Sequence, residues 1–120
     1  MLKHKNLYYL FYTANDFRNP DYAVGYAVSS SPYGPWKKWA GNPIISSKNT
    51  GQNGTGHGDF VVDRNNRLFY VLHTHYSGVK VSPRRTAIME ARFAADGSGG
   101  VDKVVVDEKS FFYLTTKQGQ

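Results

Sequence analysis

The sequence predicts an all-β chain, a partial β-propeller of two four-stranded antiparallel blades. Three observations carry that expectation. Aromatic and β-branched residues dominate the apolar segments, with Tyr far outnumbering Met, and such side chains suit a pleated surface. Apolar runs of strand length are separated by clusters of Gly, Pro, Asn and Asp. One run also returns: Leu7-Tyr8-Tyr9-Leu10-Phe11-Tyr12-Thr13 matches Leu68-Phe69-Tyr70-Val71-Leu72-His73-Thr74. After each copy come a loop, a second strand and a shorter outer strand. A repeated four-stranded antiparallel unit is the pattern of a propeller blade, which buries its faces only against neighbouring blades.

The first unit spans residues 2–41. Residues 1–6 are a polar lead-in. Residues 7–13 form its first strand, and apolar side chains at both parities predict that both faces are covered. Residues 15–21 are a loop, 22–29 the second strand, 30–35 a turn cluster and 36–39 a short outer strand. Residues 42–56 read as a long polar connection. The second unit spans residues 54–107. Its strands are 59–63, 68–75, 85–94 and 101–106, with turns at 64–67, 77–83 and 96–100. Alternation makes 85–94 a strand, although Ala, Met and Glu also favour helix. The closing tail, 108–120, carries the apolar run Phe111-Phe112-Tyr113-Leu114, which needs a partner strand.

Composition narrows the function. A chain of 120 residues holds one domain. The absence of cysteine excludes disulfides and Cys-based zinc sites. The net charge is +6 at pH 7, but the basic residues are scattered, with only Lys37-Lys38 and Arg84-Arg85 adjacent. No nucleic-acid surface is expected from that distribution. The apolar runs are too short to span a bilayer, and no signal peptide precedes the first strand. A cytoplasmic location is expected for the chain as it stands.

The stretch with most chemical content is Asn53-Gly54-Thr55-Gly56-His57-Gly58-Asp59. Glycine permits positive φ and close approach of other groups. The pattern predicts His57 at the tip of a segment running into crowded surroundings; an ordinary Gly-rich loop is the bland alternative. His73 and His75, two apart on one strand, could join His57 or Asp59 around a metal. Packed positions are the preferred reading for both, with His73 in the register of Tyr12. Asp59 is either a channel carboxylate or an acceptor for the Gly-rich backbone. Tyr33, Trp36 and Trp39 read as packing between blades rather than sugar stacking. Asn53-Gly54-Thr55 matches a glycosylation sequon, with no sign of secretion to support its use.

Four segments together, LYYLFYTAND, YAVGYAVSSSPYGPWKKW, GTGHGDFV and YVLHTH, carry a family resemblance. From about residue 2 to about residue 106 the chain resembles the C-terminal part of a glycoside hydrolase family 43 catalytic domain. Those enzymes are five-bladed propellers acting on xylan and arabinan. The resemblance implies that residues 7–39 belong to blade four and 59–106 to blade five. It implies that His57 points into the central channel, where the equivalent histidine helps hold a divalent cation, usually calcium, or a water cluster. Calcium prefers several oxygen ligands, so one histidine is a poor site by itself. The resemblance also makes Arg84 and Arg85 candidate sugar contacts. Asp16, with Asn15, Arg18 and Asn19, lies on a loop that edges the cleft.

Inverting glycosidases need one carboxylic acid and one carboxylate base, and this family adds a third carboxylate that tunes the acid. The resemblance places both aspartates in blades this chain does not carry. It places the glutamate acid in a Glu-Gly-Pro segment just before the first strand, and this chain, opening Met1-Leu2-Lys3-His4, is expected to begin immediately past that segment. The expectation is a fragment of a xyloside- or arabinoside-hydrolysing enzyme, without catalytic residues of its own and inactive alone, from a parent that is secreted or periplasmic. Its partner in the intact enzyme would be a xylose- or arabinose-containing carbohydrate, not nucleic acid or membrane. Two alternatives are a non-enzymatic carbohydrate- or partner-binding module, and a small metal hydrolase using His57, Asp59, His73 and His75. The open blade faces and an unpaired apolar tail predict a homo-oligomer or a complementing chain.

Overall fold

The computed structural model describes residues 1–96 and 101–115. Part of the expected turn at 96–100 and the end of the tail lie outside the described residues. The chain forms two antiparallel sheets. The first has the order β1-β2-β3-β4, from β1 (Leu2–His4), β2 (Leu7–Ala14), β3 (Ala23–Ser29) and β4 (Lys37–Lys38). The second has the order β5-β6-β7-β8, from β5 (Gly56–Val62), β6 (Leu68–Thr74), β7 (Arg85–Ala94) and β8 (Lys103–Val106). A ninth strand, β9 (Phe112–Tyr113), pairs with β7. No helix among the described residues is long and apolar enough to cross a membrane.

Residues directly opposite in an antiparallel pair share a sheet face, so the register sorts the side chains. On the first sheet, Tyr9↔Val28, Phe11↔Tyr26 and Thr13↔Val24 share one face. On the second, Phe60↔Tyr70↔Met89 and Leu72↔Ala87 do the same. These two faces meet, and the core lies between them: Tyr9, Val24, Tyr26, Tyr70, Leu72, Ala87, Met89, Ala91 and Val104 are buried. Aromatic rings cross the seam, Phe11 to Phe60 at 4.4 Å and Tyr9 to Phe93 at 4.9 Å between centroids. Polar contacts cross it as well. The Val104 N–H donates to the Tyr26 hydroxyl at 3.1 Å, and the Tyr9 hydroxyl donates to the Asp102 carbonyl at 2.7 Å. At the outer corner His4 stacks on Phe93 at 3.8 Å, and its Nε2 lies 2.8 Å from the Asp102 carboxylate.

Three expectations need correction. The lead-in contains a strand: Lys5 and Asn6 both take positive φ (49° and 67°), turning the chain in two residues from His4 into Leu7. That is the backbone of a tight hairpin. The connection at 42–56 is not uniformly polar. Ile44 and Ile45 are core residues, and Ile45 bridges to Val24. Asn42 acts as a short extra strand partner: its amide accepts from the Tyr26 N–H (3.1 Å) and donates to the Tyr26 carbonyl (2.8 Å). A four-residue helix, α1 (Ser47–Thr50), follows, capped by Ser46 and Asn49. Finally, the tail is not unpaired, because β9 lies against Ala87 and Ile88 of β7. The outward faces remain uncovered. Tyr8, Leu10 and Tyr12 of β2 stay half-buried on one, and Val61 and Phe112 stay exposed on the other.

Candidate functional site

Three loops gather at one end of the two sheets: the connection from β2 to β3, the Gly-rich lead into β5, and the connection from β6 to β7. Buried His75 joins them. Its Nε2 donates to the Phe17 carbonyl at 2.7 Å, and its backbone N–H donates to the Asn53 carbonyl at 2.9 Å. The Gly54 N–H donates to the Pro20 carbonyl at 3.2 Å. Gly54 has φ +66°, and a Cβ there would overlap the His75 ring. Only glycine meets both demands. His75 is therefore a packing keystone, the bland alternative for that residue.

Past Gly54 the chain becomes the edge strand β5, where the register slips between Gly56 and Asp59. His57 occupies that bulge with φ +52°, in the left-handed region. A non-glycine residue there costs about 1 kcal/mol or more of backbone strain. Its N–H donates to the Thr13 hydroxyl at 3.2 Å. Gly58 sits where a Cβ would overlap the Val71 carbonyl, so the strand can close only without a side chain. The outcome is an exposed His57 imidazole at the sheet edge.

His73 lies beside it on β6. The two rings meet edge-on, 5.6 Å between centroids at 72°. Burial, then the Arg84 guanidinium, then His57 hold the His73 imidazole below the ordinary histidine range. His73 is therefore a neutral ring at pH 7. Its Nδ1 and Nη1 of Arg84 are both buried without a hydrogen-bond partner. The Arg84 guanidinium stacks on Phe17, with Cζ 4.9 Å from the ring centroid. Below this layer the Tyr70 phenol is pushed up to about 12, chiefly by burial and also by the charge of Asp59, so it keeps its proton.

The other residues singled out in the sequence have different surroundings. Arg85 lies over the Tyr113 ring at 3.4 Å. The Asp16 carboxylate pairs with Arg18 at 2.6 Å, which holds it well below the usual carboxylate range. A general acid must be protonated near working pH, and Asp16 is not. The Asp59 carboxylate accepts from the Phe60 N–H at 2.8 Å. Trp39 stacks on Tyr26 at 5.9 Å, whereas Tyr33 is fully open to solvent. A cleft of about 390 Å3 on the free face of the first sheet is lined by Tyr12, Asn15, Asp21, Asn42 and Lys48, apart from the His57 cluster. No sequence motif singles out Phe17. Its importance comes from its carbonyl and its ring face, neither of which leaves a motif.

The chain's groups near His57 do not fit a calcium site on their own. Calcium takes six to eight oxygens, whereas the nearest groups here are the His73 imidazole, the Thr13 hydroxyl that accepts from the His57 N–H, and Asp59, whose carboxylate accepts from Phe60. Among the described residues no three His, Asp or Glu side chains converge as a metal site.

The comparisons with known proteins agree with this architecture. The family model described as glycosyl hydrolases family 43 matches residues 1–98. The structure of an endo-1,4-beta-xylanase from Bacteroides thetaiotaomicron VPI-5482 is similar, with 38% identity and TM-score 0.75, over 88% of this chain and 35% of that one. A thermostable family-43 glycoside hydrolase is similar at 39% identity and TM-score 0.75, over 88% of this chain and 33% of that one. A xylan beta-1,4-xylosidase from Bacillus halodurans C-125 shares the fold at 20% identity and TM-score 0.74, over 91% of this chain and 21% of that one. No curated protein matches the chain. The chain spans about a third of the length of the first two structures. With two antiparallel sheets packed as adjacent blades and a family match over most of its residues, the chain belongs to family 43 of the glycosyl hydrolases.

Proposed function

We propose that this chain supplies two blades of a xylan-directed, inverting glycoside hydrolase and contributes one wall of its sugar site. The carrying observation is the match to a xylanase structure at 38% identity over 88% of this chain. On this reading the wall consists of His57, His73 and Arg84. Neutral His73 offers a ring nitrogen to a sugar hydroxyl, and the Arg84 guanidinium donates N–H groups to a sugar oxygen. His57, held at the edge by its bulge, faces the space that further blades would enclose. Arg85 and Asp16, engaged by Tyr113 and Arg18, are weaker candidates for sugar contact.

The chemistry itself needs an acid near the leaving oxygen and a base on the opposite face of the sugar. Asp16 is ionised and tied to Arg18. The reading therefore assigns the acid to a Glu-Gly-Pro segment ahead of the first strand and the base and tuning carboxylate to other blades, and assigns no glycosidase activity to the chain by itself. The test adds to this chain the N-terminal portion of a family 43 xylanase, its first three blades extended through the Glu-Gly-Pro segment, and follows aryl-β-xyloside hydrolysis. Hydrolysis that needs both pieces, and falls at least tenfold on Arg84→Ala, supports the reading. Sugar binding without hydrolysis in the mixture would instead favour a non-enzymatic carbohydrate-binding module.

A further inference from the structure

The C-terminal segment lies beyond residue 98, where the family match ends, yet it reaches the loop that carries His57. β9 pairs with β7 at Ala87↔Tyr113 and Ile88↔Phe112, and the Leu114 N–H donates to the Thr86 carbonyl at 2.9 Å. This pairing presents Tyr113 toward the Gly-rich loop. Its hydroxyl donates to Gln52 Oε1 at 2.7 Å and lies 3.1 Å from the Thr74 hydroxyl. Thr74 is fully buried and donates to the carbonyl of His75, the residue that joins the three loops. On the other side, the Tyr113 ring carries the Arg85 guanidinium at 3.4 Å.

From these contacts we infer that β9 is a clasp, with Tyr113 the positioning residue that fixes the Gln52-to-His57 loop. The phenol gives its single proton to Gln52 on the loop and packs 3.1 Å from the Thr74 hydroxyl, whose own proton goes to the His75 carbonyl, while the ring face occupies the guanidinium. The loop's other anchors are single hydrogen bonds spread along it: the Gln52 N–H donates to the Thr50 hydroxyl, the Asn53 carbonyl accepts from the His75 N–H, the Gly54 N–H donates to the Pro20 carbonyl, the Thr55 hydroxyl to the Tyr22 carbonyl, and the His57 N–H to the Thr13 hydroxyl. A loop held this way opens locally without unfolding the sheets.

The inference rests on contacts and does not depend on the glycosidase reading, so its test uses no catalysis. Amide hydrogen exchange and histidine ring NMR are recorded on the full chain and on Tyr113→Phe, which keeps the ring, the stacked guanidinium and the strand pairing. Exchange at Gln52, Gly54 and His57 should accelerate about fivefold, the loss of one net hydrogen bond, and the His57 ring signals should shift. Leu114 and the core strands should be unchanged. Gln52→Ala should give the same acceleration, and the double variant no more than either single one. Unchanged exchange at 52–57, acceleration spread evenly over the sheets, or additive effects in the double variant would each overturn the clasp.

Discussion

Gly54, His75 and Phe17 show how much of this site depends on atoms that leave no mark in a motif. The Gly-His-Gly pattern was legible as a crowded, glycine-dependent turn, and three separate demands lie behind it. Gly54 needs both its positive φ and its missing Cβ, Gly58 needs only the missing Cβ, and the second left-handed residue is His57 itself. Gly54→Ala should destabilise the chain by about 3 kcal/mol, from left-handed strain plus overlap with a buried ring, read as a lower urea midpoint. His73 gives a pH signature. Its folded value is depressed, so the unfolded chain takes up the proton first, near the ordinary value of about 6.5. Stability is then fullest above that range and falls as pH drops through it toward the folded value. An NMR titration should place the His73 midpoint below the ordinary histidine value. Arg84→Gln should raise it without restoring it fully, because burial is the larger cause.

At the scale of elements, the strands with long alternating or aromatic patterns were legible: β2, β3, β6 and β7 fall within a residue or so of their expected limits. The misses share a physical cause. The hairpin into β2 uses Lys5-Asn6, whose positive φ angles come without a glycine to announce them. Residues 42–45 pair through one asparagine side chain and one isolated bridge, which no periodicity encodes. The tail was expected to need a strand partner, and it finds one within its own sheet. Contacts between the sheets were invisible in sequence because they join residues far apart in the chain. Tyr26→Phe tests one of them. It keeps the buried ring but orphans the Val104 N–H, and should cost about 1–3 kcal/mol, measured by denaturant unfolding.

At the scale of the molecule, two sheets share one core and leave two faces open. One face carries Tyr8, Leu10 and Tyr12, and the other carries Val61, Phe69, Val71, Ile88 and Phe112. A blade with an uncovered apolar face associates. Sedimentation velocity should therefore show species larger than the 13.5 kDa chain, which dissociate when the remaining blades are supplied. The repeat made the two-blade architecture readable, because each unit restarts with the same aromatic strand. The site was only half readable: His57 stood out by its glycines, whereas the pairing of His73 with Arg84 depends on how β6 and β7 align.

The proposal gives these two blades a sugar-facing wall but no acid and base of their own. Its decisive test is aryl-β-xyloside turnover by the purified chain, expected to be indistinguishable from buffer. Turnover that purifies with the chain and is lost on substituting one of its own carboxylates would contradict it.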